Sequence, residues 1–187
     1  MRKILVIVGM AGSGKGTITD YLESRGMPKI YFGGMVYEEV ERRGLDIVKH
    51  EREVREDMRA KEGLAVLAKR ASAKADEYFA DGHQVVVFDG LYSWSEFKFI
   101  EEKYGEDAIF IAVFTPKSIR YQRAINRRES HRSYTLDDIK KRDYEEIEGI
   151  EKGGPIAMAD YTLVNTKTPE DLINELNSLL ESLGISV

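Results

Sequence analysis

The run Gly9-Met10-Ala11-Gly12-Ser13-Gly14-Lys15-Gly16-Thr17 constrains this chain more than any other stretch. It follows a continuous apolar, β-branched segment, Ile4 to Val8, and precedes a stretch with Ile18, Tyr21 and Leu22 on one helical face. Strand, glycine-rich loop and helix in that order make a P-loop. The glycines let successive backbone N–H groups curl inward, the helix N-terminus adds positive potential, and Lys15 supplies a mobile point charge for β- and γ-phosphates. Gly9, Ala11, Gly12, Ser13, Gly14, Lys15, Gly16 and Thr17 are therefore the expected contacts of a nucleoside triphosphate, ATP first in line. One departure bears on the metal: the pattern asks for Ser or Thr directly after the lysine, and here Gly16 intervenes before Thr17. Mg²⁺ is then expected to be held through water, with Thr17 free to reach another phosphate or the metal.

A second strand is expected at Ile30-Tyr31-Phe32, followed by a helix opening at Gly33-Gly34 and capped by Gly44. The stretch from Asp46 to Gly63 is highly charged, with Arg52, Arg55 and Arg59 spaced so that the outer two share a helical face. A more apolar helix from Leu64 to Phe79 leads to the buried strand Val85 to Phe88, which ends in Asp89-Gly90. Ser93 and Glu96 have the spacing of a capping box for a helix closed by Gly105. Ile109 to Phe114 is the next strand, and Thr115-Pro116 starts a helix through Arg128. Thr135 starts another towards Glu148, Tyr161 to Val164 is the last strand, and Thr168-Pro169 opens a final helix. Its apolar stripe reads Leu172, Leu176, Leu179 and Leu183. Alternating strands and helices imply an α/β fold: a parallel sheet of about five strands with helices on both faces and the site at the strands' C-terminal ends. One domain over 1–187 is expected, with 33–81 as a helical insertion on the acceptor side and 116–156 as a lid.

Composition excludes other classes. The chain is 42% hydrophobic and 33% charged, which suits a globular protein, and its net charge of −5 argues against nucleic-acid binding through overall charge. With no cysteine there is neither disulfide nor thiolate metal site, and no apolar run reaches the length of a membrane span. Arg2-Lys3 with Ile4 to Val8 is too short for a signal peptide, so a cytoplasmic location is expected. His50, His83 and His131 lack metal-ligand spacing. Asn165-Thr166-Lys167-Thr168 does not match the N-K-x-D guanine pattern, which argues against a signalling GTPase.

Asp89 ends an apolar strand, where a P-loop protein places a carboxylate beside Mg²⁺. Arg120, Arg123 and Arg127 project from one helical face, with Arg128 and Arg132 close by and Arg142 on the following helix. Like charges at that spacing call for a compensating anion: phosphate, or else the acidic run Glu145, Glu146, Glu148 and Glu151.

On these residues the chain resembles the nucleoside monophosphate kinases, and within them a group of mostly archaeal adenylate-kinase-related proteins often labelled dephospho-coenzyme A kinase-like. Gly14 to Thr17 has the adenylate-kinase form of the loop, Asp89-Gly90 sits where those enzymes carry Asp-Gly, and Arg120 with Arg123 resembles their lid arginines. Arg142-Asp143 and Ala159-Asp160-Tyr161 leading to Asn165 resemble the related group's C-terminal part, which implies that Asn165 lies near the adenine. The resemblance implies a kinase using ATP and Mg²⁺ on a small nucleotide acceptor, with Lys15, Asp89, Arg120, Arg123 and Arg142 in catalysis. Acceptor contacts are expected at Gly33, Gly34, Tyr37, Arg59, Gly90 and Tyr92. Two departures fall on that side. The related group has Gly-Asp and then Arg where this chain has Gly33-Gly34 and Tyr37, and an arginine after Asp-Gly where it has Leu91-Tyr92-Ser93. A hydroxyl acceptor such as dephospho-coenzyme A, or an ATP-binding switch that signals to a partner protein, therefore stands beside the monophosphate reading.

Overall fold

The computed structural model describes residues 2–126 and 135–186. Arg127, Arg128, His131 and Arg132 lie outside the described residues. Five strands, β1 (Lys3–Val8), β2 (Lys29–Tyr31), β3 (Val85–Asp89), β4 (Ala108–Phe114) and β5 (Tyr161–Val164), form one all-parallel sheet in the order β2-β3-β1-β4-β5. Ile4 to Val8 are buried on both faces, which explains an uninterrupted apolar run where a half-exposed strand would alternate. The edge strand β5 shows the contrast, with only Leu163 buried.

Between strands lie α1 (Lys15–Ser24), α2 (Phe32–Arg42), α3 (Ile47–Glu62), α4 (Val66–Ala80) and α5 (Trp94–Tyr104). They are followed by α6 (Lys117–Asn126), α7 (Leu136–Ile150), α8 (Gly153–Ala157) and α9 (Pro169–Ser182). One apolar cluster joins α2, α3, α4 and α5 to one sheet face, and the other joins α1 and α9 to the opposite face. Capping boxes at Ser93, Thr135 and Thr168 start α5, α7 and α9 as their sequences predict. Along α9 full burial falls to Leu172, Leu176 and Leu180, with Leu179 and Leu183 only partly covered. The helix meets α1 along one narrow row, and that row is the i, i+4, i+8 line. The short α8, between Gly153 and Ala157, carries no apolar period and is not legible in the sequence.

Register sets the site. β1 lies between β3 and β4, and Ile7 pairs with Asp89, so the C-terminal ends of β1 and β3 deliver the glycine loop and the Asp89 carboxylate side by side. The order changes direction at β1, where a parallel α/β sheet opens a crevice.

Candidate functional site

The loop's shape rests on glycine at particular points. Gly12 and Gly14 have φ of 77° and 101°, in the left-handed region. A Cβ at Gly12 would come within 2.9 Å of the Arg120 carbonyl oxygen, and one at Gly14 would run into the Asn165 side-chain amide. Asn165 is buried and donates from Nδ2 to the Ser13 carbonyl (2.8 Å), while Thr115 Oγ1 donates to the same carbonyl (2.8 Å). Ser13 Oγ is buried without a hydrogen-bond partner among the described residues. Lys15 Nζ donates to the Gly9 (2.8 Å) and Met10 (3.1 Å) carbonyls, closing the loop on itself.

Around this loop lies a cavity of about 1850 Å³ that reaches from Gly12, Lys15 and Thr17 to Tyr37, Arg55 and Tyr92. Enclosure, followed by repulsion from Lys152, lowers the Lys15 ammonium from its ordinary value to about 7, against the pull of Glu146 and Asp89. Asp89 accepts from Thr19 Oγ1 (3.1 Å); burial raises its carboxyl, opposed by that hydrogen bond and by Lys15. Thr19 was not singled out by sequence, although it stands four residues after Lys15 and so shares its helical face.

The arginines predicted to act together occupy three places. Arg120 is buried behind the loop: Nη1 donates to the Ala11 carbonyl (2.8 Å), and Nη1 and Nη2 reach Asp143 at 3.2 and 2.6 Å. Tyr121 Oη donates to the same carboxylate at 3.1 Å. Arg123 spans to the segment after β5, donating to the Asn165 (3.2 Å) and Lys167 (3.3 Å) carbonyls, and lines the cavity. Arg142 also lines it, with Nε donating to Glu146 Oε1 at 2.9 Å. Glu146 holds a second cation, Lys152, at 2.7 Å from Oε2. Burial works to raise the Glu146 carboxyl, but Lys152 and Arg142 hold it down at about 2. Sequence reasoning passed over Lys152, which has no motif around it, and counted Glu146 only as surface charge.

At the cavity wall formed by the start of α2, Gly33 and Gly34 make room for an aromatic ring. A Cβ at Gly33 would overlap the Tyr31 phenol, so the glycine pair at the start of α2 lets Tyr31 fold over the helix N-terminus. Tyr31 and Tyr37 meet edge to face with ring centroids 6.2 Å apart, and the Tyr31 ring and the Tyr92 hydroxyl both lie beside Gly90. Burial raises the Tyr31 hydroxyl, and raises that of Tyr92 to about 12, so both stay protonated at neutral pH. Gly90, with φ of 89°, turns the chain between Asp89 and this wall. Of the three α3 arginines, Arg59 is buried against Glu96 (3.3 Å). Arg52 bridges Glu56 (2.9 Å) and Glu145 of α7 (3.1 Å), and Arg55 lies over the Tyr92 ring, 6.0 Å from its centroid. Glu96 also accepts from the Tyr92 and Ser93 backbone N–H groups at 2.8 and 3.0 Å, so Arg59 fixes α3 to the segment that carries Tyr92.

This chain resembles known proteins along nearly its whole length. The AAA domain family profile matches residues 8–141. A UPF0200 protein of Thermococcus kodakarensis is 37% identical over 96% of this chain and 97% of its own length, and one of Thermococcus onnurineus is 34% identical over the same shares. A UPF0200/UPF0201 protein of Archaeoglobus fulgidus is 32% identical over 99% of this chain, which spans 57% of that longer relative. Among solved structures, TT1252 from Thermus thermophilus aligns with a TM-score of 0.67 at 20% identity, covering 97% of this chain and 98% of that one. Shikimate kinase from Bacteroides thetaiotaomicron aligns at 0.59 and 13% over 96% and 98%, and a gluconokinase from Sinorhizobium meliloti at 0.57 and 18% over 98% and 97%. At such identities these likenesses show the fold, that of the P-loop kinases.

Proposed function

This chain belongs to the AAA domain family and to the UPF0200 proteins, and from that membership we propose that it is an ATP-dependent phosphotransferase acting on a small nucleotide-type acceptor. The observation that carries the reading is one continuous cavity with Lys15 at one end, Arg55 and the tyrosine wall at the other, and Arg142 and Lys152 along it. The loop amides of residues 12–17 and Lys15 hold the triphosphate, with Asn165 and Arg123 beside the loop on the nucleotide's far side. The described residues hold no group of three carboxylate, histidine or cysteine side chains fit to bind a metal. A Mg²⁺ resting on phosphate oxygens and water, with Asp89 and Thr17 at its edge, fits that sparse donor set and would neutralise charge between the β- and γ-phosphates.

In the transfer an acceptor oxygen forms a bond to the γ-phosphorus as the bond to the β,γ-bridging oxygen breaks. ADP leaves with the charge, and the cavity cations stabilise the transferring group. A monophosphate needs cationic support, which Arg55 can give from its seat on Tyr92. The likeness of the fold to shikimate kinase and gluconokinase raises a second reading, a hydroxyl acceptor. The specific observation in its favour is Asp89, whose carboxyl is raised by burial and stands beside uncharged phenols where related kinases carry arginine. Asp89 would then take the hydroxyl proton.

The test is ADP release from ATP and Mg²⁺ with AMP, CMP, UMP, their deoxy forms and dephospho-coenzyme A as acceptors, products being identified by mass. Stimulation by one acceptor, abolished in Lys15→Ala, is the expected result, and the product's identity separates the two readings. Transfer that survives Lys15→Ala would refute both.

A further inference from the structure

We infer that Lys152 is a fixed cation for the γ-phosphoryl group of the bound triphosphate, held ready by Glu146 and standing between Lys15 and the acceptor wall at Tyr92. The inference rests on the phosphotransferase reading and adds a residue to it.

Three observations converge. Lys152 is only 2% exposed, yet it lines the cavity, with Nζ 2.7 Å from Glu146 Oε2 and 5.2 Å from the centroid of the Tyr92 ring. It therefore lies against the acceptor wall on one side and within electrostatic reach of the loop lysine on the other: burial first, and then repulsion from Lys152, lowers the Lys15 ammonium. Lys15, Arg142 and Lys152 line the same cavity, and one carboxylate, Glu146, is shared between Arg142 and Lys152. A buried ammonium needs an anion beside it, and besides Glu146 a phosphoryl group is the anion a P-loop brings there.

The backbone around Lys152 is built to aim it. Glu151 is the only non-glycine among the described residues with positive φ, at 55°, a conformation an L side chain adopts only against resistance. This turn ends α7 and folds Lys152 back, so that its backbone N–H donates to the Glu146 carbonyl at 3.1 Å while its side chain points inward. Two residues on, Gly154 packs so closely on Trp94 that a Cβ would lie 2.7 Å from its ring. Trp94 in turn stacks on the core residue Phe97 at 4.9 Å. Lys152 is thus seated on α5 and the core through α8, whereas Arg142 and Glu146 ride on α7. The place of Lys152 is set by α5 and the end of α7 together, and on nucleotide binding its counter-ion changes from Glu146 to phosphate.

The decisive measurement is the affinity for ATP·Mg²⁺ and for ADP·Mg²⁺ by calorimetric titration, without any acceptor. If Lys152 meets the γ-phosphoryl, Lys152→Met weakens ATP about tenfold or more and ADP less than about threefold, since one charge-assisted hydrogen bond is lost from ATP alone. Lys15→Ala weakens both. A purely structural Lys152 is separated by thermal unfolding of Lys152→Met and of Lys152→Met/Glu146→Gln. The single variant leaves the buried Glu146 carboxylate with Arg142 alone and melts lower, and the double variant recovers most of the melting temperature. The inference expects the double variant still to bind ATP no better than ADP. Recovery of wild-type discrimination together with stability, or equal losses for ATP and ADP in the single variant, overturns it. Wild-type protein that binds no ATP, or Lys15→Ala that binds it unchanged, removes the phosphotransferase reading itself and the inference with it.

Discussion

Asp143→Ala tests whether Arg120 serves the glycine loop or the transferring phosphate. The Asp143 carboxylate receives both ends of the Arg120 guanidinium, at 2.6 and 3.2 Å, and the Tyr121 hydroxyl at 3.1 Å, with both charged side chains less than a tenth exposed. Removing it leaves a buried guanidinium whose remaining described hydrogen-bond partner is the Ala11 carbonyl. Breaking a buried ion pair from one side costs about 3–5 kcal/mol. For a chain of this length each kcal/mol moves the melting temperature by about 2–4 °C, so a fall of about 6–20 °C is expected. The assay is thermal unfolding of the ligand-free protein followed by circular dichroism. Because Arg120 also grips the loop at Ala11, ATP affinity should fall in parallel. Replacing both charges, Arg120→Met with Asp143→Leu, should recover most of the stability, since an apolar pair of similar volume replaces the ions without stranding either. A clamp that met only the transferring phosphate would leave the ligand-free melting temperature alone, so an Asp143→Ala variant melting within about 2 °C of wild type would refute the brace.

Two further outcomes follow from the loop. Gly14→Ala combines a left-handed φ of 101° with a Cβ driven into the Asn165 amide, so ATP affinity should drop at least about tenfold, with a strain of about 1–2 kcal/mol seen in the melt. Adding Asn165→Gly should relieve the clash but not the strained φ, and full recovery would contradict this account. Burial and the neighbouring Lys152 bring Lys15 down to about 7, below its unfolded value of 10.5. Between those two values the unfolded chain binds more protons, so the Lys15 contribution makes unfolding free energy rise with pH from about 7 to 10.5. At pH 8.5 nucleotide binding should take up a proton as phosphate restores the ammonium. Its apparent enthalpy should therefore vary with the ionisation enthalpy of the buffer, and invariance would argue against the lowered value.

Much of the fold is legible residue by residue. An unbroken apolar run such as Ile4 to Val8 can be satisfied only by burial on both faces. Capping boxes such as Ser93 with Glu96 are local and form wherever the chain goes. The cavity wall around Tyr31, Tyr92 and α3 is harder to read because its contacts are made by pairs distant in sequence. Arg52, Arg55 and Arg59 look alike along α3, but Glu96, thirty-seven residues from Arg59, holds one buried in the cavity wall, and Glu145 takes hold of another. Gly33-Gly34 in place of Gly-Asp looks like a loss until Tyr31 is seen lying in the space.

The sequence by itself determined the parallel α/β plan, the glycine loop with Lys15, and Asp89 at the end of its strand, because each depends on hydrophobic period, turn chemistry or a motif within a few residues. Only the tertiary structure decided what each charge does. Arg120, Arg123 and Arg142 share a type and an expected role, but one turns inward to Asp143, one reaches the β5 end and one shares Glu146 with Lys152. A guanidinium's role follows from which oxygen it can reach and how much water remains around it. Those distances are fixed by packing between helices, not by the order of residues along them.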